Sequence, residues 1–474
     1  MSRHITPEKD KVPVVEKLFY GVGSGSFQLA GDGVKGLAYS VFNITLGLSP
    51  VLVGLVLMLS RLFDAFTDPI IGKLSDDTRT RFGRRRPFIF VGSFLTAIAF
   101  IIIWMVPSGW GPTDIFVYYL LAMLLFYFCA TIQTVPYHTL GLELTADYHE
   151  RTVVAAYKMF FSFTFTLFIP WTFRLAQADV FENVMTGIRF LSWWIALAIV
   201  IGGVLPAIFC KERYYAIACK QAKVPFWKGL RLTLQNKPFQ ILTGILLATG
   251  IGSNMVNALG GYIIFYYIFE GDLKTGAALA AMGANVFTVC AIACIPVMTW
   301  MAGRIGKVAT LRFLIILGIV GAFSKFFLYS KEMPYLLFFS QALVAPLAAG
   351  FWTITTSMKA DICDDDELNH GMRREGIFGS VGNWVLKVAM ASTFFLSGLI
   401  LELTGFNIEL KGNQAPETLL WMRILFSTVP AFASIAALWL IGKYPLHEKR
   451  MLEIRAELEM RRECIDNEDA MAKE

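Results

Sequence analysis

Apolar stretches of 18 residues or more recur along the whole chain, about twelve times, and roughly 20 such residues cross the hydrocarbon of a bilayer. Backbone groups in lipid must be satisfied within the spanning structure, so only helices and closed barrels are open to the chain. Barrel strands are short and alternate in polarity, whereas these stretches are continuously apolar. The 474 residues are 56% hydrophobic and 16% charged, a departure from soluble averages in the same direction. An all-α integral membrane protein with twelve transmembrane helices is therefore expected. The opening MSRHITPEKDKVPVVEK is polar and has no short apolar region before a small-residue cleavage site, so no cleavable signal peptide is expected.

The formal net charge of +6 has a topological explanation. Basic residues crowd TRTRFGRRRP after the second span, the link after the sixth, GRIGK after the eighth and the tail from Lys443, while VPSGWGPTD on the opposite side carries none. The positive-inside rule then puts both termini in the cytoplasm of a multi-pass protein of the cell (inner) membrane. It also leaves the basic loop no need of a nucleic-acid partner. Expected divisions are an N-terminal segment 1–17, a six-helix half 18–209, a cytoplasmic linker 210–237, a second six-helix half 238–442 and a tail 443–474. Charges at helical spacing with Met451, Leu452, Ile454, Leu458 and Met460 make that tail a short amphipathic helix, solvated or skimming the membrane. Seven cysteines, mostly in spans or cytoplasmic loops, argue against a disulfide framework.

Asp64 and Asp68 sit one turn apart inside VLVGLVLMLSRLFDAFTDPIIGKL. Each carboxylate at membrane depth costs about 2.5 to 3.5 kcal/mol on the lenient scale, so a cation has to compensate them. Thr67 shares their face and completes a hard-oxygen pocket suited to Na+ or a proton, and Pro69 frees one backbone carbonyl nearby. The alternative is neutralisation by Arg61, although one guanidinium cannot match two carboxylates.

GKLSDDTRTRFGRRRP carries Gly72, Asp76, Gly83, Arg84 and Arg85 in the positions of the major facilitator superfamily's cytoplasmic signature. The longer block RLFDAFTDPIIGKLSDDTRTRFGRRRPFI is joined by KLFYGVGSG, VPYHTLGLELTADYHERT and MKADICDDDELNHGMRREGIFGSVGNWVLK. Together they resemble the glycoside-pentoside-hexuronide:cation symporter family over essentially the whole chain. The resemblance implies a major facilitator fold in two six-helix halves. It implies that Asp64 and Asp68 bind the coupling cation with Thr67 and Thr131 as helpers, that Lys387 lies near them as a coupling residue, and that Trp352 lines the solute cavity.

The solute side departs from that pattern. Phe27 and Gln28 stand where the melibiose-type members carry a basic residue and an aspartate, and Thr134 stands where they carry a second aspartate. Met159 falls at or beside a further basic position. Gln28, Asp32, Lys35, Thr134, His138, Lys158, Trp352 and Asn383 are the cavity candidates, with Gln133 adding polar capacity and Tyr39, Tyr137 and Trp384 as stacking surfaces. Asp32 and Lys35 have the alternative of pairing with each other. Cytoplasmic gating is assigned to Asp76, Arg84, Arg85, Arg373 and Arg374, the last two or the basic loop facing the acidic run Asp361 to Glu367. Asn43-Ile44-Thr45 fits a glycosylation sequon formally.

The expected function is secondary active symport of a sugar-like or other small organic solute, a glycoside or a uronide among them, with Na+ or H+, by alternating access and as a monomer. Carriage of a lysolipid-like amphiphile is the alternative, and a non-transporting receptor a third reading. No nucleophile with its base, metal cluster or nucleotide loop stands out, so neither an enzyme nor a cofactor is expected.

Overall fold

The computed structural model describes residues 11–145, 148–212, 233–370 and 375–454, with 456–458 and 460 of the tail. Helices, and no strands, occur among them. They are α1 (Val14–Ala38, continued by a π-turn Tyr39–Thr45), α2 (Pro50–Asp77), α3 (Arg86–Trp104), α4 (Pro112–Glu143), α5 (Tyr148–Thr166), α6 (Trp171–Ala176) and α7 (Val184–Phe209). There follow α8 (Lys237–Asn254), α9 (Asn257–Tyr262, continued by a π-turn Ile263–Ile268), α10 (Leu273–Ile305), α11 (Lys307–Leu328), α12 (Leu337–His370), α13 (Glu375–Leu403) and α14 (Pro416–Gly442). The apolar stretches of the sequence fall on these helices. Eleven spans are long and apolar enough to cross a membrane among the described residues. The twelfth, α1, is diluted by its glycines and by Asp32 and Lys35.

One compact unit takes residues 1–222, 258–285 and 391–419, and the other 223–257, 286–390 and 420–474. In the first, α1 packs on α5 and α7, α3 on α4 and α7, and α2 on α4. Glycine makes the close crossings possible, since a Cβ on Gly21 or Gly25 would strike Phe161 or Phe165, and one on Gly23 would meet Tyr137 at 2.8 Å. These three glycines are packing residues.

The same unit joins α2 to the outer part of α13 at the end of α2 remote from its arginine-rich loop. A Cβ on Gly54 would lie 2.4 Å from the Phe394 carbonyl oxygen, and one on Gly398 2.2 Å from that of Pro50. Ser49 Oγ donates to Glu402 at 2.9 Å, Tyr39 Oη to the Phe394 carbonyl at 3.0 Å and Tyr262 Oη to Asn43 Oδ1 at 2.5 Å. Asn43 is 2% exposed and its amide donates to the Leu48 carbonyl, so the sequon is spent on packing.

In the second unit α11 and α8 pack on α12 around Phe239, Leu242, Leu314, Ile354 and Ile362. The tail joins this core. Met451, Ile454 and Leu458 are buried in it, while Leu452 and Met460 stay exposed. A docked tail helix therefore replaces the expected solvated or membrane-skimming one, because its apolar stripe finds a protein surface to cover.

At the charged end of the first unit, the backbone N–H groups of Arg84, Arg85 and Arg86 donate to the Glu212 carboxylate at 3.0, 2.8 and 3.2 Å. No side chain of the Arg85 N-cap serves α3, so Glu212 caps it from across the chain. Glu212→Ala is expected to cost about 1 to 2 kcal/mol, the worth of a charge-assisted cap, read as a lower midpoint of thermal unfolding.

Candidate cation and solute site

Asp64 is 6% exposed and Asp68 half-buried, one turn further along α2. The α2·α4 contact brings Thr131 to Asp64, with Oγ1 2.9 Å from Asp64 Oδ1 and 2.8 Å from the Tyr127 carbonyl. A hydroxyl has one proton, so it serves one of these acceptors at a time. Thr67 Oγ1 lies 3.3 Å from Thr131 Oγ1 and donates to the Asp64 carbonyl at 3.1 Å. The four residues assigned to the cation thus share one face of α2 and the facing turn of α4.

Arg61 also belongs here. Its Nη1 is 3.1 Å from Asp64 Oδ2, its guanidinium lies over the Tyr127 ring at 5.3 Å, and Asp68 is within its electrostatic reach. Neutralisation by Arg61 is therefore real for Asp64.

On α1, Gln28 Nε2 donates to Asp32 Oδ2, and Lys35 Nζ holds Asp32 Oδ1 at 2.7 Å. Asp32 and Lys35 are each about a third exposed, so the pairing and the access expected of a cavity coexist. Lys158 Nζ lies 3.4 Å from His138 Nδ1, and Thr134 is half-buried beside them on α4. Met159 is 55% exposed.

Two polar or aromatic candidates are buried in the packing. Tyr137 is fully buried, stacked on Tyr20 and edge-on to Phe27. Gln133 is fully buried between Gly92 and Gly203, filling the space a side chain there would take. Tyr39 spends its hydroxyl on the Phe394 carbonyl. Burial makes Tyr137 and Gln133 packing residues.

In the second unit Trp352 and Trp384 are about half exposed and Asn383 is exposed, while Lys387 is half-buried on α13. Asp361 binds Lys307 at 2.6 Å, so the acidic run takes a partner from GRIGK. Arg373 and Arg374 lie outside the described residues, as does most of the 210–237 linker.

Asp76, Arg84 and Arg85 do meet at the charged end of the first unit. Arg85 pairs with Asp76, Arg84 Nη1 is 3.6 Å from the same carboxylate, and Arg84 Nη2 binds Glu143 at 2.5 Å. Lys17 binds Glu150 at 2.6 Å close by. Glu143 escaped the sequence reading although it left a signal. An acid at the C-terminal end of an apolar helix opposes the helix dipole, and so demands a cation.

Comparison with known proteins bears on the family and the fold. Residues 19–448 match the family described as MFS/sugar transport protein. A glucuronide carrier protein homolog of Escherichia coli is 26% identical, with 89% of this chain and 90% of the relative aligned. The sodium-dependent lysophosphatidylcholine symporter 1 of Mus musculus is 25% identical over 96% of this chain and 90% of its own. Among solved structures, the nucleoside transporter NupG superposes with a TM-score of 0.62 at 13% identity, covering 92% of this chain and all of that one, which speaks for the fold alone.

Proposed function

The chain belongs to the MFS/sugar transport family, within the glycoside-pentoside-hexuronide:cation symporters, and is a multi-pass cation-coupled symporter rather than an enzyme; from this premise we propose that Na+ is its coupling ion. The observation that carries this is the oxygen set around Asp64. Arg61 holds Asp64 Oδ2, while Oδ1 and the Thr131 and Thr67 hydroxyls stand together where α2 faces α4. Two threonine hydroxyls beside the carboxylates favour Na+, since a metal ion uses several oxygen ligands where a proton uses one or two.

The hydroxyls also provide the switch. When Na+ takes Asp64 Oδ1, the Thr131 proton turns wholly to the Tyr127 carbonyl, and the oxygen's free lone pair faces the ion. With the ion gone, the proton returns to Asp64. We assign the arginine-rich end to the cytoplasm by its charge, with both termini on that side of the inner membrane and the carrier acting as a monomer.

The solute is proposed to be a sugar-like organic molecule held by Gln28, Asp32 and Lys35 from α1 and by Thr134, His138 and Lys158 from α4 and α5. A lysolipid-like solute is the second reading, favoured by exposed Met159 and by the lysophosphatidylcholine symporter among the relatives. The test is a thermal-shift screen of purified protein against neutral glycosides, uronides and lysolipids, each with and without Na+. A solute whose stabilisation grows with Na+ is expected, because ligands that favour one another's binding stabilise together. Stabilisation that follows pH and ignores Na+ would transfer the coupling to protons.

A further inference from the structure

Within the second unit, a cavity of about 490 Å³ opens where α10 turns into α11 and the tail helix crosses. Its charged lining comprises Lys307, Arg312, His447 and Lys449 against Asp361 and Glu448. Asp361 is taken up by Lys307 at 2.6 Å. Arg312 and Lys449 are exposed, with no hydrogen bond or ion pair to a described residue. The Glu448 carboxylate reaches Gly306, the residue before α11, coming within 2.8 Å of where a Cβ would stand. An acid already occupies the position at which the helix N-terminus favours an anion.

A second, independent feature fixes the height of this cavity in the membrane. Trp300 and Trp439 are about 60% exposed, and each carries a cation over its ring one turn nearer the chain's charged end, Arg304 at 5.2 Å and Lys443 at 3.5 Å. Exposed tryptophans backed by basic residues mark the level where hydrocarbon gives way to headgroups. The cavity's lining starts in the turn that carries Arg304, at Ala302 and Ile305, and three residues beyond Lys443, at Leu446, which puts it at the depth of lipid phosphates. Half-exposed Ile305 and exposed Leu452 form its apolar rim, where acyl chains would lie.

We propose that this cavity binds the headgroup of an anionic phospholipid from the adjoining leaflet, its phosphate held by Arg312 and Lys449. Glu448 is the internal competitor for the same cations. Basic pockets between membrane helices bind anionic headgroups through this chemistry. The bound lipid bridges α11 to the tail helix, and so fastens the tail to the second unit.

The test uses the full chain purified in detergent, with thermal stability and native mass spectrometry as readouts. Phosphatidylglycerol is expected to raise the unfolding midpoint and to appear as a retained adduct, whereas phosphatidylcholine is not. In Arg312→Gln/Lys449→Gln the lipid concentration giving half the effect rises roughly tenfold or more, since each cation at the membrane surface adds about 1 kcal/mol of attraction. Glu448→Gln is expected to act oppositely and tighten binding, which keeps the proposal testable should the double variant fold poorly. Equal stabilisation by inorganic phosphate or glycerol phosphate overturns it, because the lipid would then be dispensable. An undiminished phosphatidylglycerol effect in the double variant, or no gain in Glu448→Gln, overturns it as well.

Discussion

Asp64→Asn/Asp68→Asn is expected to abolish gradient-driven uptake in reconstituted vesicles, bringing accumulation to the level of passive equilibration. The two substitutions act by different routes. Asp64 holds Arg61 at 3.1 Å and receives the Thr131 hydroxyl, so Asp64→Asn leaves a guanidinium without its partner as well as removing an ion ligand. Breaking a buried pair from one side costs about 3 to 5 kcal/mol, discounted here because Arg61 is 27% exposed. Asp68→Asn removes the second carboxylate while leaving that pair intact. The single variants should therefore separate, with Asp68→Asn folding normally and failing to respond to Na+, and Asp64→Asn also melting early. Pairing Asp64→Asn with Arg61→Met is expected to restore much of the stability and none of the coupling. Na+-driven accumulation that persists in the double aspartate variant would remove the cation site from α2.

Gly398→Leu is expected to reduce transport at least tenfold without removing solute binding. Where α2 crosses α13, even a methyl group at position 398 would stand 2.2 Å from a backbone carbonyl, a contact no rotamer change can relieve. The variant therefore disfavours the joined arrangement and shifts the population to one in which these helices are apart. Gly54→Leu should do the same from the other side of the crossing, where the nearest backbone oxygen is 2.4 Å away. The measurement is labelling of a Gln28→Cys reporter by a membrane-impermeant thiol reagent added from outside, with the glycine parent as reference. Faster labelling with retained Na+-dependent thermal stabilisation is the expected pair of results. Unchanged labelling and unchanged uptake would mean that this crossing does not limit the cycle.

The aspartates were legible because a carboxylate in an apolar run announces its cost, and the run's length set its depth. The twelve spans were legible for the same reason, with α1 recovered despite its glycines because the glycines themselves pack against Phe161, Phe165 and Tyr137. Helix rotation was not legible. Consecutive residues on a helix point roughly 100° apart, so the choice between Gln133 and Thr134, or between Tyr137 and His138, depends on the neighbouring helix. Gly92, Gly203 and Tyr20 make that choice and bury Gln133 and Tyr137. The docked tail was hidden similarly, since its stripe of Met451, Ile454 and Leu458 fits either lipid or a protein face.

The ion pair between Arg61 and Asp64 bears on how hard the transporter can pump. Because Arg61 and its Asp64 partner stay with the protein, a Na+ taken as proposed is the mobile charge, and it carries one positive unit across with the solute. For an uncharged solute the electrical potential then contributes on top of the ion's own concentration difference. At 100 mV it adds about 2.3 kcal/mol per charge moved, enough for roughly 50-fold accumulation. A solute bearing one negative charge would cancel that contribution and leave the chemical gradient to work alone.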